Sequence, residues 1–227
     1  MKLLSAILIC CLFPAALTWG QEESGRQSVE KWDIFELMLE GPSDGNPFLD
    51  VELTATFTDG FRNIEVDGFY DGEGVYRIRF CPDKTGAWRY TTRSNVWELT
   101  DKQGVFQVTP PTADNHGPVR VFETFHFAYA DGTPYRCIGT TAYNWLHRPV
   151  PTQELTLQTL SEGPFDKVRM LVFPESQGNR TPPEHFLFEG EPPRDWDFSR
   201  FNPEFFRQVE MRLRQLRDMN IQADLIL

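Results

Sequence analysis

Between residues 32 and 108, apolar and polar side chains alternate with a period of two. Val51, Leu53, Ala55 and Phe57 interleave with Glu52, Thr54, Thr56 and Thr58. Alternation of this kind turns one face of a strand to a core and the other to water. Tyr76, Ile78 and Phe80 alternate with Arg77 and Arg79, Trp88, Tyr90 and Thr92 continue the pattern, and Phe106-Gln107-Val108 closes it. Turn signals separate the strands at Asp44-Gly45-Asn46-Pro47, Asp59-Gly60, Asp71-Gly72 and Thr85-Gly86. Gly and Asx residues tolerate the positive φ angles that tight turns need. Short strands at regular spacing, with no helical stretch, predict an all-β, immunoglobulin-like antiparallel sandwich over residues 28–110.

A proline-rich stretch at 111–118 reads as a short, stiff linker. Beyond it the pattern changes. Phe125, Phe127 and Tyr129 lead into the hairpin signal Asp131-Gly132, and a strand is expected from Arg136 to Thr141. Helix-compatible sequence at 152–161 precedes an apolar run, Lys167 to Phe173, of the kind that parallel strands covered on both faces show. A second helix is well marked. Asn202 is a good N-cap, Pro203 suits the first helical position, and Asn220 is a plausible stop. Phe205, Phe206, Val209, Leu213, Leu216 and Met219 form its apolar stripe, with Arg and Gln opposite. Residues 221–227 read as a third strand. Residues 119–227 are therefore expected to form the first part of a parallel α/β fold, left incomplete where the chain stops.

The first twenty residues are set apart. Lys2 precedes an apolar run from Leu3 to Leu17, and Thr18-Trp19-Gly20 leads into polar sequence. This is the pattern of a cleaved signal peptide over 1–20, so a secreted or periplasmic protein with no membrane segment after cleavage is expected. The net charge of −11 argues against nucleic acid as a partner and suits neutral substrates. Once the signal is removed, Cys81 and Cys137 remain, either as a disulfide or as two separate buried thiols. The four His residues lack partners at metal-ligand spacing, so neither metal nor cofactor is expected. Asp67 to Glu73 gathers carboxylates in a glycine-rich loop, read either as a calcium site or as turn chemistry. The aromatics Trp32, Phe57, Tyr76, Trp88, Tyr90 and Trp97 are either core or, in part, a sugar-stacking surface.

Several of these motifs, taken in order, resemble a known arrangement. Asn46-Pro47-Phe48, Gly68-Phe69-Tyr70-Asp71-Gly72, Arg77 to Pro82 and Gly86-Ala87-Trp88 resemble the N-terminal sandwich of bacterial glycoside hydrolases, known as domain of unknown function 5060. Asn115-His116-Gly117-Pro118, Phe127 to Pro134 and Gly139 to Tyr143 resemble the junction and first barrel strand of the same enzymes. Phe201 to Phe206 and Ala223 to Leu227 resemble the second helix and third strand of apiosidase-like (β/α)8 barrels. The resemblance implies a TIM-type barrel, here incomplete, and a secreted glycoside hydrolase acting on plant or microbial polysaccharide. The alternative is a non-catalytic carbohydrate-binding or cell-surface interaction protein that uses the sandwich.

Glycosidases of this kind need two carboxyl groups, expected after later barrel strands than this sequence carries. No catalytic residue is therefore assigned, and the chain alone is expected to be inactive. Substrate-binding candidates lie after the first two parallel strands. Tyr143, Asn144 and Trp145 either stack on a sugar or pack at the junction of the two halves. His147 lines the same cleft or sits in a surface loop. Glu175 binds sugar hydroxyls or is a solvated loop residue. The stretch 176–200 reads as a long connection that shapes a cleft, and Asn179-Arg180-Thr181 is a glycosylation sequon.

Overall fold

The computed structural model describes residues 27–173, 183–191 and 194–227. The expected signal peptide, Glu175 and the Asn179 sequon lie outside the described residues. Among the described residues no helix is long and apolar enough to cross a membrane.

The alternating first half forms β1 (Ser28–Glu30), β2 (Phe35–Glu40), a single helical turn α1 (Pro47–Asp50), β3 (Leu53–Thr58), β4 (Asn63–Tyr70), β5 (Val75–Phe80), β6 (Gly86–Ser94) and β7 (Gln103–Thr109). The apolar partners in the alternation are those that are buried: Leu53, Ala55, Phe57, Tyr76, Ile78, Phe80, Trp88, Phe106 and Val108. Each large side chain removed from water in this way contributes about 1.5–3 kcal/mol.

The seven strands form one ladder in the order β1-β7-β6-β3-β4-β5-β2, antiparallel except for the β1–β7 pair. The corner lies in β4. Asn63 to Asp67 pair with β3, whereas Gly68 to Tyr70 pair with β5, so the sheet folds over at Gly68. A Cβ at Gly68 would come within 2.6 Å of Leu53 and 2.9 Å of Ile78, which is why the corner carries glycine. Folding there brings the two ends of the ladder together. Phe35 of β2 stacks on Phe106 of β7 with ring centroids 3.8 Å apart, and the sheet is nearly closed.

The linker is tied down. The backbone N–H and hydroxyl of Thr112 both donate to Glu30 at 3.1 Å, and the Asn115 amide donates to the Lys31 carbonyl at 3.1 Å. Gly117 has φ +73° and lies under the Trp32 ring, where a Cβ would meet ring carbons at 2.5 Å.

The second half opens with a hairpin, β8 (Val119–Phe122) and β9 (His126–Tyr129). Then follow β10 (Gly139–Thr141), a 3₁₀ turn (Trp145–His147), α2 (Val150–Glu162), β11 (Lys167–Leu171), β12 (Phe188–Glu191), β13 (Asp195–Phe201), α3 (Pro203–Asp218) and β14 (Gln222–Ile226). Strands β10, β11 and β14 are parallel neighbours, joined through α2 and α3. The start of α3 is as its sequence demands, with the Asn202 side chain accepting from the Glu204 N–H at 3.1 Å. Asn220, at φ +58°, turns the chain into β14.

Three expectations need correction. The strand expected at 136–141 is only three residues long. The connection at 176–200 holds an antiparallel hairpin, β12–β13, because 195–201 is itself alternating. Among the described residues strand β11 is covered on one face: Val168 and Met170 are buried under the helices, while Lys167 and Arg169 point to the opposite side.

The two halves meet through α3 and β13. Arg79 of β5 pairs with Glu210 of α3 and with Glu36 of β2, Arg77 pairs with Glu36 and Asp71, and Arg207 reaches Asp71. Beside this ladder of charges, the Asn46 amide donates to the Ser199 carbonyl and hydroxyl at 3.2 and 3.0 Å, and Arg200 donates to the Gly45 carbonyl at 2.6 Å. Phe48 meets Phe201 edge-on at 5.9 Å.

Candidate carbohydrate site

In parallel β/α folds ligands gather at the C-terminal ends of the strands. Here that end is formed by the turn after β10, the end of β11 and the end of β14. The Leu171 N–H donates to the Tyr143 carbonyl at 2.9 Å, which holds the turn against β11. Tyr143 keeps its ring at the surface, 45% exposed, and Asn144 beside it is half-buried.

The next residues turn inward. Trp145 is 3% exposed and its indole N–H donates to the Gln153 carbonyl at 3.0 Å. His147 is fully buried, with its ring parallel to Phe205 at 5.6 Å. Neither of its ring nitrogens has a hydrogen-bond partner. Burial lowers the His147 pKa from its ordinary value, outweighing the backbone groups of Leu171 and Val172, which favour the charged form. The expected cluster is therefore split. Tyr143 faces solvent, whereas Trp145 and His147 belong to the core, and His147 is not a surface-loop residue.

A network that the sequence hid keeps this turn in place. Gln153 and Arg212 are each 1% exposed. The Gln153 amide donates to the carbonyls of Arg148 (2.6 Å) and Leu146 (3.4 Å), and its oxygen accepts from Arg212 Nε at 2.9 Å. Arg212 also donates to Glu154 and Gln215, at 2.5 and 2.9 Å. Helix α3 thereby fixes the turn after β10 through one amide. Polar residues on helices ordinarily face water, so Arg212 read as part of the solvated side of α3.

On the open face of the parallel sheet, register places Thr141, Arg169 and Asp224 in one row. Arg169 Nε lies 2.8 Å from Asp224 Oδ2, and Lys167 Nζ lies 3.9 Å from it. The carboxylate of Asp224 raises the Arg169 pKa. Together with Gly139 and Thr140 these side chains line a depression of about 280 Å³. The row offers both donors and acceptors, the pairing that recognition of sugar hydroxyls requires.

The other candidate groups have plainer roles. The stretch expected as a carboxylate loop at 67–73 divides: Asp67 to Tyr70 belong to strand β4, whereas Asp71 pairs with Arg77 and Gly72, Glu73 and Gly74 have positive φ, so the turn begins only at Asp71. No group of three metal-capable side chains occurs among the described residues. Phe57, Tyr76 and Trp88 are core, whereas Trp97 is 77% exposed. Cys81 and Cys137 are both unpaired and both exposed, where buried thiols were one expectation.

Comparison with known proteins agrees with this organisation. Residues 28–95 match a domain of unknown function (DUF5060). A structure from Bacteroides vulgatus, described as that of "a putative glycoside hydrolase", is 46% identical with a TM-score of 0.84 over 89% of this chain. The chain spans 41% of that protein's length. A family 39 glycoside hydrolase from Bacteroides cellulosilyticus aligns with 85% of this chain and 31% of its own at 13% identity and a TM-score of 0.23. A GH5 xyloglucanase from Bacteroides ovatus aligns with 90% of this chain and 44% of its own at 10% identity and a TM-score of 0.26. At such TM-scores no common fold follows. No curated protein matches the chain. The chain thus has a glycoside-hydrolase-like fold with a DUF5060 region at its N-terminal end, homologous to the Bacteroides vulgatus protein.

Proposed function

We propose that this chain forms the immunoglobulin-like sandwich and the opening β/α portion of a secreted glycoside hydrolase that acts on neutral plant or microbial polysaccharide. The observation that carries this reading is the 46% identity over 89% of the chain with a glycoside-hydrolase-like relative. The parallel order β10-β11-β14, with α2 and α3 between the strands, supports assignment to an apiosidase-like (β/α)8 barrel. Export rests on the apolar run from Leu3 to Leu17. In this reading the described residues supply a scaffold and one edge of the cleft. None of them is assigned as acid, base or nucleophile, because Asp224, the carboxylate in the central row, is already held by Arg169 and Lys167.

Affinity electrophoresis in gels containing neutral and acidic polysaccharides tests the reading. Retardation by a neutral polysaccharide that Arg169→Ala and Asp224→Asn weaken is the expected result. No retardation by any polysaccharide overturns it. The exposure of Trp97 favours a second reading, in which the sandwich itself binds glycan. Retardation lost in Trp97→Ala and kept in Arg169→Ala would put that reading first.

A further inference from the structure

The turn between β10 and α2 ends on a polar side chain that bonds to nothing. His147 is fully buried, yet neither of its ring nitrogens has a hydrogen-bond partner. A neutral imidazole always keeps one N–H, so the closed turn already leaves a donor unmatched in a dry place. An apolar ring would stack on Phe205 as well and leave no such donor. What histidine adds is a second protonation state, which the closed site has no means of holding.

The elements packed on the ring offer no answering charge. Helix α3 presents the Phe205 ring in a parallel stack at 5.6 Å. Glu204, beside Phe205 in the chain, is exposed and pairs with Arg207. Strand β11 presents the backbone of Leu171 and Val172, which favours the charged form but does not outweigh burial. Its charged residues, Lys167 and Arg169, point away from the core that encloses His147. From α2, the Gln153 amide is engaged by the carbonyls of Leu146 and Arg148, and its oxygen by Arg212. Arg148, next in the chain and half-buried, carries the same sign as a protonated imidazole. Among the described residues no carboxylate acts on the ring.

The turn can part from the sheet without the sheet coming apart. Its backbone meets β11 where the Ala142 N–H donates to the Arg169 carbonyl and the Leu171 N–H to the Tyr143 carbonyl, both at 2.9 Å. Within it, the N–H groups of Trp145, His147 and Arg148 donate to the carbonyls of Ala142, Asn144 and Trp145 at 3.0–3.1 Å. Segments of this kind open with less free energy than the whole domain. Trp145 and Leu146 leave the core with the turn, so opening at neutral pH is a rare event. Acid multiplies it, because the opened imidazole lies in water and takes up a proton that the closed one refuses. We propose that residues 142–148 form an acid-released latch: protonation of His147 frees this turn, and the Tyr143 rim with it, from β11 while the sandwich and the body of α3 stay folded. The latch is a property of the fold and is independent of the carbohydrate reading.

Hydrogen exchange of the whole chain, followed by mass spectrometry and corrected for the intrinsic effect of pH on exchange, tests the latch. Between about pH 7.5 and about pH 5.5, the opening constant read from peptides covering 142–149 should rise by up to about tenfold. Peptides covering 53–58 in the sandwich and 209–217 in α3 should keep their protection. His147→Phe should remove the rise. His147→Gln, polar but equally unable to titrate, should remove it as well and serves where the phenylalanine variant folds poorly. The same rise in a variant that folds overturns the proposal, and so does a flat response in the parent chain. Protection lost equally over 209–217 also overturns it, because His147 then acts on the whole second half and not on its own turn.

Discussion

Arg79 of the sandwich and Glu210 of α3 form a two-pronged ion pair, with Nη1 to Oε1 at 2.6 Å and Nη2 to Oε2 at 3.0 Å. The planar guanidinium matches the carboxylate, a geometry that lysine cannot reproduce. Glu36 approaches the same arginine from β2, so one cation serves both layers of the junction. Both partners are about a quarter exposed, which screens the pair. A double-mutant cycle with Arg79→Ala and Glu210→Ala should give a coupling of about 1 kcal/mol in urea denaturation. Additive losses would show that the pair does not bind the halves.

Gly117 should not tolerate a side chain. Its φ of +73° is strained for an L-residue, and a Cβ would strike the Trp32 ring. Gly117→Ala should lower stability by about 2 kcal/mol, seen as a shift in the denaturant midpoint. An unchanged midpoint would mean that the linker does not pack on Trp32.

The buried Arg212 is the main polar tie between α3 and α2. Arg212→Met should cost about 3 kcal/mol, because the Gln153 oxygen loses its closest donor in a dry site. Adding Gln153→Leu should deepen that loss, because the carbonyls of Arg148 and Leu146 then lose the Gln153 amide. The further loss is read from the difference between the single and double variants in chemical denaturation.

His147 makes stability pH-dependent in a definite direction. Its pKa in the folded chain lies below the ordinary 6.5, so the unfolded chain takes up the proton first. Its contribution is intact above about pH 6.5 and is lost as pH falls through that value towards the folded pKa. The groups around it are the Phe205 ring and the backbone of Leu171 and Val172, none of which titrates in this range. His147→Phe should flatten the melting temperature between pH 7.5 and 5, relative to the parent. Parallel curves for the two proteins would dismiss His147 as the source.

Much of the local structure was legible because single residues dictate it. The period-two runs became strands, and Asn202, Pro203 and Asn220 set the limits of α3. Pairing order was not legible, since nothing in the β4 pattern except Gly68 marks where the sheet turns over. The hairpin at 188–201 was obscured by the prolines and charges around it, although Trp196, Phe198 and the intervening polar residues alternate plainly. The candidate residues after β10 do share one turn, but a list of residue types cannot tell which of their side chains point inward. Trp145 and His147 do, and Tyr143 does not. Gln153 and Arg212 escaped notice for a related reason: polar residues on a helix look solvated until a second helix covers them.

Helix α3 serves two masters. Phe205, Val209 and Leu216 fill the core beneath the parallel sheet, while Arg207 and Glu210 hold the sandwich. Such a helix cannot drift in evolution to suit one side alone. Exchanging the sandwich for that of a distant relative would strand its charges, and repairing them would require changes on a helix already committed to another core. The two halves should therefore be inherited as a pair, with substitutions at positions 36, 71, 77 and 79 answered by substitutions at 207 and 210.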